Sequence, residues 1–272
     1  MIPYVTLSDW RLIEANAWGD GWPSEAVALR PFGTLVVLAV AIGVLLTLTE
    51  ARRRSLPNNH VVSFVYYVVL GGFIGGHLFE LVFYAPDVLM VRPAHVLAIA
   101  EGQSSFGGFL GATVGAFLFR RVHGVALMPL AEVVASAFPS AWIVGRMGCA
   151  IAHDHPGILS TSWFAVAYPA GGRLDLGLLE AAATVPLAMA FLILRRRRRP
   201  FRAYVAVMCL YYAPLRFLLD FLRATDVLDP DRRYLALTPA QWGCVLLFGV
   251  GLYFSACKRI AVPTSMNAEA PN

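Results

Sequence analysis

Seven long apolar stretches dominate this chain of 272 residues and limit what it can fold into. They fall at roughly 32–49, 61–84, 105–120, 129–152, 176–194, 201–222 and 241–257. A helix of about 20 apolar residues crosses the hydrocarbon core of a bilayer. The stretches lack the alternation of a membrane β-barrel. The sequence therefore predicts an all-α integral membrane protein with about seven transmembrane helices, of which the short, Gly-rich third is the weakest.

The composition excludes two other classes of protein. Hydrophobic residues make up 58% of the chain and charged residues 14%, whereas a soluble domain carries about 25% charged residues. A cytosolic domain and a disordered chain are both excluded, because apolar surface is abundant. The cysteines form no CxxC pair, so we expect neither a disulfide framework nor a zinc motif.

The basic residues predict an orientation in the membrane. Most Lys and Arg residues fall in the alternate loops that would share one side, in clusters at 52–54, 120–121, 195–202 and 258–259. Because cytoplasmic loops are enriched in Lys and Arg, we expect the N-terminus outside and the C-terminus in the cytoplasm. The basic runs then anchor helices at the membrane surface, and no nucleic-acid partner is expected. This predicts an outer segment at 1–30, a seven-helix domain at 31–260 and a disordered cytoplasmic tail at 261–272.

Charged residues inside the apolar stretches are the first functional candidates. A charge at the centre of a membrane helix costs about 2.5–3.5 kcal/mol, so it needs a partner, water or a function. Arg216, Asp220 and Arg223 follow at i, i+4 and i+7, which places them on one helical face. Arg146 lies in another stretch, between two glycines. These residues predict either a salt-bridged seam between helices or a binding site.

Other polar residues fall in the same half of the predicted bundle: His77, Glu80, Ser105 and Glu180. Their coincidence predicts one polar cavity, open toward the outer leaflet and net cationic. Arginine suits phosphate, because its planar fork makes paired charge-assisted hydrogen bonds. The natural anion at that depth is a phospholipid headgroup, although a small-anion transporter stays an alternative. The pair His77 and Glu80 is equally compatible with helix packing.

Several blocks of the chain resemble the bacterial prolipoprotein diacylglyceryl transferase family. They are RPFG at 30–33, FIGGHLFELVFY at 73–84, SFGG at 105–108, VGRMGC at 144–149, LLE at 178–180, YYAPLRFLLDFLRATD at 211–226 and TPAQW at 238–242. The resemblance implies an enzyme of the bacterial inner membrane that moves the diacylglyceryl group of phosphatidylglycerol to a lipobox cysteine of a preprolipoprotein. Glycerol-1-phosphate would leave. No metal or other cofactor is implied.

The resemblance also implies roles for individual residues. Arg146 and Arg216 would hold the lipid phosphate and stabilise charge on the leaving group. Asp220 and Arg223 would orient these arginines. The remaining matched positions would bind the headgroup or support the cavity: Ser105, Gly107, Gly108, Gly157, Glu180 and Gln241. His77, which stands where the family usually has an Arg, is placed in the same group.

Some positions differ from the family's pattern and suggest a divergent member. Phe106 stands where the family has a His before two glycines, and that His is the obvious base for the incoming thiol. An unperturbed thiol has a pKa of about 8.5 and needs activation. We hypothesise that His153 or His155, in the HDHPG segment, replaces that base and that Asp154 orients it.

Other interpretations of these residues stay open. The HDHPG segment could be a helix-ending loop with solvated imidazoles or, less simply, a local metal site. Cys149 could be a small packing residue or a nucleophile activated by Arg146. The whole chain could also be a non-catalytic membrane paralogue that binds anionic phospholipid or lipoprotein signal segments.

Overall fold

A computed structural model of the chain describes residues 1–5, 10–13, 27–29, 31–97, 102–196, 203–227 and 230–256. Long helices dominate these residues. They are α1 (Pro31–Arg53), α2 (Asn58–Phe79), α4 (Ser105–His123), α5 (Leu127–Ala152), α6 (Leu176–Arg195), α7 (Tyr204–Leu219) and α8 (Pro239–Ala256). A π-helical turn, Glu80–Tyr84, continues α2, and the short α3 (Pro86–Val91) and a 3-10 turn, Pro93–Leu97, follow it. A second 3-10 turn, Asp220–Leu222, continues α7.

Six segments are long and apolar enough to cross a membrane: Pro31–Arg53, Asn58–Tyr84, Leu127–Ala152, Leu176–Arg195, Tyr204–Leu222 and Pro239–Ala256. The predicted all-α membrane fold is confirmed. The third predicted span, now α4, is not among the six, in keeping with its glycines and its Arg120–Arg121 end. Which end of the bundle faces outside stays a prediction.

Glycines hold α4 against α2. A Cβ on Gly71 would collide with the backbone carbonyl of Gly111, and a Cβ on Gly115 would collide with that of Tyr67. Small residues let helix backbones approach closely in a membrane, where hydrophobic burial adds little to helix association. The composition that weakens α4 as a span therefore makes it a good partner for α2.

A small antiparallel sheet lies between α5 and α6 in the chain. Its strands β3 (Pro156–Leu159), β4 (Val166–Tyr168) and β5 (Gly171–Asp175) are arranged in the order β3-β5-β4. Ile2 forms a parallel bridge with Val166, so the first residues of the chain extend this sheet. A separate pair joins β1 (Trp10–Ile13) to β2 (Val27–Leu29). The tail at 261–272 and most of the basic run at 195–200 lie outside the described residues.

The two ends of the bundle differ, and we name them by what they carry. The sheet end carries β3–β5, where α5 ends and α6 begins. The basic end carries the short connections from α1 to α2 and from α4 to α5, together with Arg52, Arg53, Arg54 and Arg195. Asp175 caps the start of α6 at the sheet end, where its Oδ1 accepts a hydrogen bond of 3.0 Å from the Leu178 N–H.

Candidate functional site

Four buried charged side chains from three helical segments meet at the sheet end, and we call them the arginine cluster. Arg146 and Arg216 each expose 4% of their surface, Glu180 exposes 1% and Asp220 is fully buried. Arg146 Nε lies 3.0 Å from Glu180 Oε1, and Arg216 Nη1 lies 3.7 Å from Glu180 Oε2. Arg216 Nη2 lies 3.0 Å from Asp220 Oδ1. Glu180 therefore bridges two arginines that are far apart in sequence.

Helix positions explain why these residues meet. Arg146 precedes the end of α5 by six residues, and Glu180 follows the start of α6 by four. At 1.5 Å per residue, both lie within about 9 Å of the sheet end. Arg216 and Asp220 are one turn apart near the end of α7, as their spacing predicts. The tight connection through β3–β5 brings the α5 and α6 ends together.

Two aromatic residues hold the Glu180 carboxylate. Trp142 Nε1 donates a hydrogen bond of 2.8 Å to Glu180 Oε1, and the Tyr212 hydroxyl donates one of 2.6 Å to the same oxygen. Neither is predicted as a site residue from the sequence, because aromatic residues in apolar stretches look like core. The available signal was their position, since each precedes a cluster arginine by four residues and thus shares its helical face.

A second set of contacts fixes Asp220. The Thr238 hydroxyl donates a hydrogen bond to Asp220 Oδ2, and Arg223 Nε lies 3.3 Å from Asp220 Oδ1. Gln241 lies one step further out: its Oε1 accepts from the Thr238 N–H at 3.0 Å, and its Nε2 donates to Phe217 O at 3.2 Å. Gln241 thus positions Thr238, which contacts Asp220.

The formal charge of this region is balanced rather than net cationic. Arg223 Nη1 lies 3.0 Å from Asp231 Oδ2, so three arginines face the carboxylates of Glu180, Asp220 and Asp231. Spacing on one helix could not reveal carboxylates supplied by α6 and by the loop after α7. Donor groups nevertheless remain available: Arg216 Nε and Nη1 are buried and make no hydrogen bond with the described residues.

His155 joins the arginine cluster. Its Nδ1 contacts the Asp154 carboxylate, and its Nε2 lies 3.4 Å from Arg146 Nη1. The same Nη1 lies 3.6 Å from Cys149 Sγ. Burial lowers the pKa of His155; the hydrogen bond with Asp154 opposes this, and the charge of Arg146 adds to it.

His153 lies in a different network. It ends α5 with a left-handed φ of 53°, and its ring stacks on Tyr4 with the ring centroids 4.0 Å apart. Its Nδ1 lies 3.2 Å from Asp175 Oδ2 and its Nε2 lies 3.1 Å from Val5 O. Because the backbone turns sharply at His153, the two imidazoles point to different partners. His153 ties the first residues of the chain to the start of α6.

A metal-like group of donors also lies here. One ligand atom each of Cys149, Asp154 and His155 falls within 4.8 Å of the others. Sulfur, nitrogen and carboxylate donors suit zinc. The Arg146 guanidinium, however, already contacts two of the three donors, and a second cation beside it would be repelled. The geometry favours an arginine-centred site.

The contacts at the start of α4 are with α2 and α8 rather than with the arginine cluster. Ser105 begins α4, and Gly107 packs against the backbone of Gly75. A Cβ on Gly108 would lie 3.7 Å from Gly72 O. Phe106, at the position of the family's His, packs its ring on Gly243 of α8. These contacts are those of helix packing.

His77 is fully buried at the end of α2. Its Nε2 lies 3.0 Å from His95 O and its Nδ1 3.3 Å from Gly102 O. Through these carbonyls His77 contacts both the 3-10 turn Pro93–Leu97 and Gly102, just before α4.

Gly157 allows β3 to pass between two other chain segments. A Cβ there would lie 2.8 Å from Leu174 O and 2.9 Å from Leu222 O. The Gly157 carbonyl accepts a hydrogen bond of 3.0 Å from Arg173 Nη1, and Arg173 Nη2 pairs with Asp226 at 2.7 Å. Side chains larger than glycine would push β3 away from the turn that carries Asp220.

Together these features define a class: a multi-pass helical membrane protein with two buried arginines at one end of the bundle. Comparison with known proteins identifies the family. The family model described as prolipoprotein diacylglyceryl transferase matches residues 24–257. The chain therefore belongs to the prolipoprotein diacylglyceryl transferase family, and the resemblance seen in its motifs is confirmed.

The relatives of this chain include proteins named phosphatidylglycerol--prolipoprotein diacylglyceryl transferase, among them the following three. The one from Azoarcus sp. (strain BH72) is 33% identical over 237 residues, 83% of this chain and 89% of the relative. The one from Aromatoleum aromaticum is 31% identical over 244 residues, 86% and 92% of the two chains. The one from Pseudomonas aeruginosa (strain LESB58) is 28% identical over 254 residues, 87% and 94%.

Proposed function

We propose that this protein transfers the diacylglyceryl group of phosphatidylglycerol to the thiol of a lipobox cysteine in a preprolipoprotein signal peptide, in the bacterial inner membrane. The observation that carries the proposal is the pair Arg146 and Arg216 on one buried carboxylate, with Arg216 Nε and Nη1 lacking hydrogen-bond partners among the described residues. Membership of the family supports the same reaction.

The arginines act on the phosphate of the lipid. Arg216 offers two buried nitrogen donors, Nε and Nη1. Phosphate oxygens satisfy them by charge-assisted hydrogen bonds. Glu180 and Asp220 fix the guanidinium orientations before substrate arrives. When the bond from the glyceryl carbon to the phosphate oxygen breaks, negative charge grows on that oxygen. Preorganised donors in a buried site stabilise such charge without reorganising.

His155 accepts the thiol proton. Its Nδ1 faces Asp154, so the lone pair lies on Nε2, the nitrogen nearest the arginine cluster. The cysteine sulfur forms a bond to the glyceryl carbon as the carbon–oxygen bond breaks. The proton passes to His155 Nε2, and the electron pair leaves with glycerol-1-phosphate.

A transfer assay tests this proposal. Purified protein in detergent receives phosphatidylglycerol and a lipobox peptide, and lipidated peptide is measured by mass spectrometry. We expect product from the unmodified protein, loss of product in Arg146→Ala and Arg216→Ala, and a large loss in His155→Ala. His153→Ala is the matched control, because His153 contacts Tyr4 and Asp175 instead of the cluster. Full activity in His155→Ala would exclude it as the base.

One observation favours a second candidate, a non-catalytic membrane protein that binds anionic phospholipid or lipoprotein signal segments. Phe106 presents a packed aromatic ring where the family has a His. If phosphatidylglycerol binds in a manner that depends on Arg216 but no lipidated peptide forms, the binding function replaces the transferase.

A further inference from the structure

The Arg146 guanidinium has stronger partners on one side than on the other. Its Nε pairs with Glu180 at 3.0 Å, and its guanidinium carbon lies 4.8 Å from the centre of the Trp142 ring. The opposite nitrogen, Nη1, has two weak neutral acceptors: His155 Nε2 at 3.4 Å and Cys149 Sγ at 3.6 Å. The contact to nitrogen is longer than an ordinary hydrogen bond of about 2.7–3.2 Å. Nη1 is therefore the part of Arg146 that a better acceptor can capture.

The same contact masks His155. Because Asp154 faces Nδ1, a neutral His155 keeps its proton there and its lone pair on Nε2. Arg146 Nη1 donates toward that lone pair. A nitrogen that already accepts a hydrogen bond from a guanidinium cannot take a proton from a thiol until the guanidinium withdraws.

A phosphate oxygen is the acceptor that would win this competition. A phosphate oxygen carries negative charge, so its hydrogen bond with arginine joins two opposite charges, whereas the imidazole nitrogen and the thiol are neutral acceptors. Arg216, whose Nε and Nη1 make no hydrogen bond with the described residues, would hold the phosphate beside Arg146, because both arginines converge on Glu180. We infer that Arg146 masks His155 in the empty protein and that a phosphate ester unmasks it by drawing Nη1 away, so that the lipid must bind before the acceptor thiol is deprotonated.

This inference rests on the proposed function and assigns Arg146 a second task, that of a positioning residue for the base. It explains why the base and the phosphate-binding arginine are in contact instead of apart. An acceptor thiol that reached an empty site would find no free base, so a reactive thiolate would form only beside a bound lipid.

The charges around His155 predict how its titration responds. Asp154 lies on its own loop, Arg146 on α5 and Arg223 after α7, and both arginines disfavour the imidazolium. A bound phosphate cancels part of the arginine charge and frees Nε2. The pKa of His155 should therefore rise when a phosphate ester binds.

The experiment measures carbethoxylation of His155 by diethyl pyrocarbonate, mapped by peptide mass spectrometry. The probes are glycerol-1-phosphate, inorganic phosphate and phosphatidylglycerol micelles, with diacylglycerol micelles as the neutral control. We expect the phosphate-bearing probes to raise the His155 rate by roughly tenfold, the scale of losing one hydrogen bond to a charged group. His153, in the same peptide region, is the internal reference and should not respond. A response to the lipid alone would identify the headgroup in its membrane setting as the ligand.

Arg146→Gln provides the matched variant. Its His155 should react fast without phosphate and should show no further gain with it. In the unmodified protein, the pH midpoint of His155 modification should move upward with glycerol-1-phosphate, a shift that a purely structural role of Arg146 would not produce. The comparison with and without phosphate needs no variant, so it stands even if Arg146→Gln folds poorly.

Two results would overturn the inference, and they have different consequences. If glycerol-1-phosphate binds by calorimetry but His155 reacts at the same rate or more slowly, masking is wrong while the proposed transferase stands. If neither glycerol-1-phosphate nor phosphatidylglycerol binds, the phosphate site itself is wrong, and the proposed function fails with it.

Discussion

The bundle buries ionisable groups at both ends, but it surrounds them differently. At the basic end, Glu132 accepts hydrogen bonds from the backbone N–H groups of Tyr204 (3.0 Å) and Val205 (3.1 Å), which begin α7. Arg195 Nη2 donates to the backbone carbonyl of Leu46 at 2.5 Å. At the sheet end, Arg216 and Glu180 contact other side chains.

The difference separates a structural cluster from a binding site. A backbone partner is fixed by its helix, and Glu132 cannot leave its partners without exposing the start of α7. Side-chain partners can rearrange around a ligand. Arg195 Nη1 also lacks a hydrogen-bond partner among the described residues, but Arg195 remains tied to α1 by Leu46 and by Glu50, 3.5 Å from its Nε. Burial of a charge is thus common to both ends, but Glu132 and Arg195 are also tied to helix backbone, whereas Glu180 and Arg216 of the arginine cluster are held by side chains.

The largest expected effect distinguishes the two buried arginines by activity. Arg216→Gln should lower kcat/KM for diacylglyceryl transfer by about 10²–10³, the loss typical of removing one preorganised donor to developing charge. Arg195→Gln removes a charge of similar burial from the basic end and should change kcat/KM only a few-fold. Both variants are measured in the same transfer assay with saturating lipobox peptide.

Folding must be separated from chemistry in this comparison. Apparent melting temperature in detergent and elution by size exclusion show whether each variant is folded. Equal activity losses in folded Arg216→Gln and Arg195→Gln protein would contradict the assignment of the sheet end as the binding site and of the basic end as a structural cluster.

The second prediction concerns pH, because the sheet end contains a titratable base. The pKa of His155 is lowered from its ordinary value of about 6.5, so its neutral form persists below that pH. We expect kcat/KM, which reports the free enzyme, to fall only when the pH drops under about 6.5. The acid limb of the pH profile, where the rate falls as the pH drops, should lie at a higher pH for kcat than for kcat/KM, since bound lipid raises the pKa of His155.

Replacement of His155 checks that assignment. His155→Ala should lower the rate by about 10², the low end of the usual contribution of a general base, and should remove the acid limb of the pH–rate profile. His153→Ala should keep the limb where it is. An acid limb that survives in His155→Ala would point to another base.

The sequence predicted the helices well, because apolar length decides them. The stretch at 176–194 became Leu176–Arg195, and that at 129–152 became Leu127–Ala152. It also predicted that Arg146 and Arg216 would be functional candidates, because charges are costly inside a membrane. The contact between Arg216 and Asp220 followed from their spacing on one helix.

Other features depend on how the helices rotate and on short connections, which a hydropathy pattern does not encode. Trp142 and Tyr212 contact Glu180 only because three helices present these faces to one another. The strands β3–β5 have three to five residues each, too short for a clear alternation. His153 and His155 separate because the chain turns between them. No sequence spacing could have assigned Asp231 to Arg223.

The third prediction tests the structural character of the basic end. Glu132→Ala removes both acceptors from the start of α7 and should lower the free energy of unfolding by about 1–2 kcal/mol, the usual cost of losing a helix cap. The specific transfer rate of the folded protein should stay within a few-fold. Glu132→Gln keeps one acceptor oxygen and should destabilise less. Apparent melting temperature and activity per folded molecule report the two effects.

The smallest expected effect comes from an ion pair at the edge of the sheet end. The hydrogen bond from Arg173 lowers the pKa of Asp226, whose carboxylate is half-exposed. Its folded pKa is below its unfolded value of about 3.9, so its stabilisation is present above that pH and is lost as the pH falls through the folded pKa. Solvent screening keeps the effect small.

Asp226→Asn isolates this contribution. The melting temperature of the variant should be slightly below that of the unmodified protein near pH 7, and the gap should close as the pH falls below about 4. High salt should also narrow the gap, because exposed charges are screened. A gap that persisted in acid would mean that Asp226 acts through packing rather than charge. At the sheet end, the ionic contacts that stabilise the protein would then be those of the buried arginine cluster.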